Sequence, residues 1–173
     1  MARSLALALY LLVAGRRGSE PEPLRGERPA GTLLWMHIGA GSGRKRLAQL
    51  ARRLSELRPG LSFLVTAEGP ETPDAGGFPA ATAADRQPPE RTPAITAFLD
   101  HWRPDLALFA GASLPPALLA EAHGRAIPLV LADIRMTAAD ERALRWRRAL
   151  AGSLLGRFAR VLAQDPETAG RLR

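Results

Sequence analysis

The stretch Leu33–Leu57, LLWMHIGAGSGRKRLAQLARRLSEL, constrains the fold more than any other part of the chain. Leu33, Leu34, Trp35 and Met36 form an uninterrupted apolar run of buried-strand length. Gly39, Gly41 and Gly43 then alternate with small residues. From Arg44 onward, Leu47, Leu50, Ala51, Leu54 and Leu57 recur at helical spacing with Arg and Glu between them, and Pro59-Gly60 stops the helix. A strand that feeds a helix through glycines is the first half of a βαβ unit. In an open α/β sheet that turn lies at the carboxyl edge, where ligands bind.

The loop matches neither common phosphate motif. Lys45 follows Arg44 rather than Gly and precedes Arg46 rather than Ser or Thr, so this is not a P-loop. Three residues after Gly41 stands Arg44, and three after Gly43 stands Arg46, so the G-x-G-x-x-G spacing also fails. What remains is a helix start with free N–H groups and three cations. Basic residues in a first turn oppose the helix dipole. Two readings follow: a tight turn before a solvated basic helix start, or an anion cradle made by Gly41, Ser42, Gly43, Arg44, Lys45 and Arg46.

A chain of 173 residues, 46% of them hydrophobic, suits one domain with a real core. Without cysteine it has no disulfide or thiolate metal site. His37, His101 and His123 lie far apart with no i, i+4 pair, which argues against zinc. No metal and no cofactor is expected. The net charge of +7 comes almost wholly from arginine, Lys45 being the single lysine, and favours anionic partners. Aromatic content of 5% without a basic-aromatic interleave argues against single-strand nucleic-acid binding by stacking, and no nucleic-acid partner is expected.

The amino-terminal run Leu5–Ala14, LALALYLLVA, is flanked by Arg3 and by Arg16-Arg17. It is too short to span a bilayer as a helix, which takes roughly 20 residues. The flanking arginines favour an apolar membrane-associating segment over residues 1–17, with a cleaved signal or a helix packed on its own domain as alternatives. Residues 18–31 read as a Pro/Gly/charged linker. Beyond the first helix, strands are expected at Leu61–Thr66, Asp105–Ala110, Ile127–Ala132 and Arg160–Gln164, with a short one hidden near Ala80–Thr82. Helices are expected at Ile95–Trp102, Pro115–His123, Thr137–Phe158 (or two broken near Gly152) and from Pro166 onward. Alternating strands and helices predict an α/β, Rossmann-like three-layer domain over residues 32–173 with a mainly parallel sheet. The long irregular segment Ala67–Pro93 is of a kind that is usually functional or mobile.

Taken together, FLDHWRPDLALF (Phe98–Phe109), HGRAIPLVLADIRMT (His123–Thr137), RVLAQD (Arg160–Asp165), the strand opening at Leu33 and the apolar amino terminus resemble one family. That family is the bacterial Kdo transferases, GT-B glycosyltransferases that move 3-deoxy-D-manno-octulosonic acid from CMP-Kdo to a lipid A precursor. The resemblance is to the amino-terminal, acceptor-side half and covers nearly the whole chain. It implies one half of a GT-B architecture, a role in lipopolysaccharide biosynthesis, and a place on the cytoplasmic face of the inner membrane.

Departures from the family pattern matter as much. The family's H-x-x-S-V-G-E, whose glutamate is its expected general base, falls on His37 to Gly43, so glycine stands where the carboxylate belongs. The E-[ST]-E-L-W-P-N segment falls on Gly111–Ala117 and keeps only Leu114 and Pro116. Arg135 retains the arginine of N-A-R-[LM]-S, while Asp133 replaces its asparagine. The carboxyl-terminal, donor-binding half is absent from this sequence. The resemblance therefore implies no catalytic residue, and an anion site of Gly41, Ser42, Gly43, Arg44, Lys45, Arg46 and Arg135 for a phosphoglycolipid acceptor. A separate donor-binding polypeptide is the alternative route to activity. His37 reads as structural, His101 and Trp102 as surface residues at the opposite sheet edge, and His123 as a helix cap. Glu68 and Glu71 are the carboxylates at the correct edge to test as substitute bases. The cleft is expected between Gly39–Gly43, Gly111–Ser113 and Asp133–Arg135.

Overall fold

The structure, a computed structural model, describes residues 26–39, 42–69, 71–80, 82–111, 114–134 and 148–171. Among them are six strands: β1 (Thr32–Ile38), β2 (Leu61–Ala67), β3 (Thr82–Ala84), β4 (Leu106–Ala110), β5 (Leu129–Ile134) and β6 (Arg160–Ala163). The described helices are α1 (Arg44–Leu57), α2 (Thr92–Trp102), α3 (Pro116–Gly124), α4 (Arg148–Leu155) and α5 (Pro166–Arg171). The strands form one sheet in the order β3-β2-β1-β4-β5-β6, and every pairing is parallel. The chain winds outward from β1 to β3 and then returns to β4 on the other side. The order therefore reverses between β1 and β4, and a crevice opens outside their carboxyl ends.

Strand β1 divides the core. Leu33 and Trp35 face a cluster built from Ile95, Phe98, Leu99 and Trp102 of α2, Leu118 and Leu119 of α3 and Leu154 of α4. Leu34 and Met36 face the other cluster, with Leu47, Ala48 and Ala51 of α1 and Phe78. A strand covered on both faces has no solvent side, which is why its sequence is apolar without alternation. The Trp35 ring packs between Phe98 at 5.2 Å and Phe109 at 5.0 Å between centroids. Helix α1 begins and ends where its apolar stripe predicts, at Arg44 and Leu57.

Several boundaries differ from expectation for local reasons. The short strand lies at Thr82–Ala84 rather than Ala80–Thr82, because Thr82 falls opposite Phe63 in the β2 register. Helix α2 starts at Thr92, with Pro93 in its first turn, where a missing N–H costs nothing. Strand β5 begins at Leu129, beyond Pro128, and runs past Ala132 to Ile134. Gly152 lies inside α4, and the turn comes four residues later, where Gly156 N–H bonds to the Gly152 carbonyl at 3.0 Å. The rest of the expected Thr137–Phe158 helix up to residue 147 lies outside the described residues, as do residues 1–17. No described helix is long and apolar enough to cross a membrane.

Trp102 is a correction. It is fully buried rather than at the surface, because it completes the stripe Ile95, Phe98, Leu99, Trp102 on α2. Its ring N–H donates to the buried Asp85 carboxylate at 2.9 Å, and the other Asp85 oxygen accepts from Arg86 N–H at 2.8 Å. His101 is half-buried, edge-on to Trp102, with Nε2 at 3.2 Å from the Gly26 carbonyl. Asp85→Ala leaves the Trp102 indole donor buried without a partner, which costs about 1–3 kcal/mol. Urea denaturation of that variant should show the loss, and a midpoint equal to wild type would contradict it.

Candidate functional site

The sheet ladder continues past the strand ends at the carboxyl edge. Gly39 N–H donates to the Ala110 carbonyl at 2.8 Å, and Gly111 N–H to the Ala132 carbonyl at 3.3 Å. The loops after β1, β4 and β5 are thereby brought side by side. Of the expected cleft residues, Gly39, Ser42, Gly43, Gly111 and Asp133 meet at this edge. Gly41, Ser113 and Arg135 lie outside the described residues. Ser42 closes the β1–α1 loop on itself, its hydroxyl donating to the Gly39 carbonyl at 2.7 Å.

The first turn of α1 carries the three expected cations, and two of them are paired within the chain. Arg44 is held by the Asp74 carboxylate at 3.1 Å, the Asp74 carbonyl and the Gly76 carbonyl at 3.1 Å. Gly76 N–H and Arg44 hold the exposed Asp74 carboxyl below its usual pKa. Arg46 forks onto Asp133, Nε to Oδ1 at 3.0 Å and Nη2 to Oδ2 at 3.1 Å. Lys45 is exposed and has no ion-pair partner among the described residues.

Asp133 is the hub of the site; the sequence placed it in the cleft and in the place of the family's asparagine but gave it no partner. Besides Arg46, it accepts Gly43 N–H at 2.6 Å and the Gln164 side-chain amide at 2.7 Å. It thus joins the β1–α1 loop, the end of β5 and the residue after β6. Burial pushes its pKa up, but the hydrogen bonds from Arg46, Gly43 and Gln164 outweigh that and hold it below the ordinary carboxylate value. A β-bulge aims it. Leu131 pairs with Val161 and Ile134 with Ala163, so two residues of β5 face one of β6. Asp133 adopts φ +52°, which turns its side chain away from the α2/α3 side, where alternation would send it, and toward α1.

Position 43 suits glycine for a related reason. A Cβ there would lie 2.5 Å from Arg46 Cζ, so any side chain at 43 requires the flexible Arg46 guanidinium to shift. Beside this cluster a groove of about 290 Å³ runs between α1 and β6, with Leu47, Leu50 and Leu162 as apolar wall and Arg46, Asp133 and Gln164 at its polar end.

His37, at the end of β1, is completely buried. Its Nδ1 lies 2.9 Å from Thr66 Oγ1, which also accepts the Trp35 indole N–H at 2.9 Å, and its Nε2 has no partner among the described residues. Burial lowers its pKa to about 4, against a smaller upward pull from Glu68. Glu68 is exposed and tied by its N–H to the Ile38 carbonyl at 3.0 Å, so it is the carboxylate that accompanies His37. Glu71 is exposed on the following loop. Among the described residues, no three His, Asp or Glu side chains gather as a metal-holding group.

The family model for 3-deoxy-D-manno-octulosonic-acid transferase (kdotransferase) matches residues 13–173. The chain belongs to the Kdo transferase family. A curated relative, the probable mitochondrial 3-deoxy-D-manno-octulosonic acid transferase of Arabidopsis thaliana, is 29% identical over 113 residues, which are 64% of this chain and 25% of that protein. The chain thus spans about a quarter of that relative's length. Among solved structures, a UDP-N-acetylglucosamine 2-epimerase aligns with TM-score 0.55 at 12% identity over 83% of this chain and 44% of its own. The Listeria monocytogenes putative UDP-N-acetylglucosamine 2-epimerase gives 0.56 at 11%, over 83% and 42%. At these identities the likeness concerns fold alone, and the fold is the Rossmann-like half of a GT-B architecture.

The buried His37 makes this Kdo-transferase domain pH-sensitive. Its pKa falls from 6.5 in the unfolded chain to about 4 in the fold. Between those values the unfolded state binds a proton that the folded state refuses, so stability is greatest above pH 6.5 and is lost as pH falls toward 4. The difference of 2.5 units corresponds to about 3 kcal/mol. Urea denaturation across that window should show the loss in wild type and a flatter profile in His37→Gln. Parallel profiles would assign the acid sensitivity elsewhere.

Proposed function

We propose that this domain is the acceptor side of a Kdo-transferase-like glycosyltransferase linked to lipid A and lipopolysaccharide biosynthesis, and that on its own it binds an anionic phosphoglycolipid at the cytoplasmic face of the inner membrane without catalysis. The observation that carries the reading is the state of the β1–α1 loop. Position 43 has no side chain, and the carboxylate beside it, Asp133, is fully engaged by Gly43, Arg46 and Gln164. A base must have an oxygen free for the proton it takes, and general base catalysis contributes typically 10²–10⁴-fold. Support for a lipid ligand comes from the groove along Leu47, Leu50 and Leu162, whose polar end meets the basic start of α1. The net charge of +7 favours an anionic surface.

The purified 173-residue chain is expected to transfer no Kdo from CMP-Kdo to a lipid A precursor. Gly43→Glu alone is expected to remain inactive, since a carboxylate at 43 does not supply the positioning of a donor, which can contribute on the order of 7–11 kcal/mol. Supplying a CMP-Kdo-binding polypeptide in trans tests the two-chain alternative. Binding to vesicles containing anionic lipid should weaken with salt, and weaken again in the Arg44→Ala/Lys45→Ala variant and on removal of residues 1–17. Kdo transfer by the chain alone would defeat the no-catalysis reading. Flotation indifferent to salt and to both changes would defeat the membrane reading.

A further inference from the structure

An ionised carboxylate offers about four lone-pair positions. On Asp133 all four are used by this chain. Oδ1 takes Arg46 Nε at 3.0 Å and Gln164 Nε2 at 2.7 Å; Oδ2 takes Gly43 N–H at 2.6 Å and Arg46 Nη2 at 3.1 Å. A helix-start N–H with a guanidinium fork in the first turn is the donor set that receives the phosphate or carboxylate of a ligand. Here it holds a carboxylate of the protein itself.

We propose that Asp133 is a built-in occupant of this anion position, an autoinhibitory contact that keeps an outside phosphate off Gly43 N–H and Arg46 until the carboxylate moves away. Three observations besides the hydrogen bonds bear on it. The contact is maintained by a bulged strand and a left-handed backbone at a residue with a Cβ, an uncommon conformation that the surrounding contacts hold in place. The Arg46 side chain is largely exposed while the Asp133 side chain is only 12% exposed, so the guanidinium can be reached by a ligand that the carboxylate must yield to. The groove along Leu47, Leu50 and Leu162 is lined by this carboxylate as well. An amphiphile lying along those leucines would therefore bring its head group to Asp133. The ligand class is a phosphomonoester, free or on a lipid. Its lipid identity rests on the acceptor-side reading above, whereas the self-occupancy does not.

The test titrates inorganic phosphate at low ionic strength into the full chain, following the Gly43 amide by NMR. Wild type is compared with Asp133→Gly, Asp133→Asn and Asp133→Gly/Arg46→Ala. Glycine suits φ +52°, so the backbone is retained, and Asn is the second variant should the first fail to fold. If the carboxylate holds its place nine-tenths of the time or more, its removal raises phosphate affinity about tenfold or more, and removing Arg46 as well cancels the gain. Folded Asp133→Gly and Asp133→Asn chains that bind phosphate no tighter than wild type overturn the proposal. A second arm uses phosphatidylcholine vesicles with and without phosphatidic acid. A phosphate gain with no vesicle binding by any variant supports self-occupancy and removes the lipid from the proposed function. Vesicle binding by wild type without any phosphate gain overturns self-occupancy and leaves the lipid reading intact.

Discussion

The parallel pairing of β1 with both β2 and β4 is the constraint on which the rest of the domain hangs. It leaves Leu33, Trp35, Met36 and His37 with no exposed surface. Each apolar residue from Leu33 to Met36 must therefore satisfy one core or the other, and the two cores are divided by the alternation Leu33, Trp35 against Leu34, Met36. The same alternation carries His37 into the Trp35 side, next to Phe109 at 5.3 Å. The Thr66 hydroxyl can accept from the Trp35 indole and donate to His37 Nδ1 at once, so one threonine on β2 serves both polar groups. The cost of burying the imidazole appears as its depressed pKa, and the remaining nitrogen has no partner among the described residues. A polar residue at the end of a doubly covered strand is the point where core and carboxyl edge meet, and each sets limits on the other.

Much of the architecture was readable from the chain because its signals are local. The apolar run at Leu33, the stripe from Leu47 to Leu57 and the Pro-Gly stop lie within single elements, and propensity and periodicity agree there. Trp102 was misplaced because the Arg103-Pro104 turn beside it reads as surface, while the partner that lets an indole be buried, Asp85, stands 17 residues earlier in an irregular segment. Glu90 is similar. Its carboxylate accepts Ala117 N–H at 2.7 Å and Leu118 N–H at 3.1 Å, capping α3 from a distant loop where no side chain of the helix itself does so. Such long-range caps have no sequence signature.

The site was legible in position and illegible in state. Glycines after β1, a small turn after β4 and the segment after β5 could be assigned to one edge from topology alone. That the cations of α1 would be answered by Asp74 and Asp133 could not, because Asp133 lies 87 residues from Arg46 and reaches it only through a bulge. A regular β5 would have pointed the side chain to the other face. One extra residue in the ladder, with the backbone turned left-handed, converts a core-facing position into the counter-charge of a helix start.

This arrangement links the two departures from the family pattern into one electrostatic unit. A glutamate at position 43 and a carboxylate at position 133 would both face Arg46 within a few ångströms of each other, and like charges so close raise one another's pKa rather than share a single guanidinium. The steric terms point the same way, since a Cβ at 43 falls onto Arg46. With glycine at 43, Arg46 folds back over the loop and its charge needs a partner on the β5 side. Asparagine at 133 would offer one uncharged acceptor oxygen with two lone pairs, too few for Gly43 N–H, the Arg46 fork and the Gln164 amide together. Glycine at 43 and aspartate at 133 therefore stabilise each other. The site retains one carboxylate and one fork, oriented toward each other instead of toward the opening of the crevice.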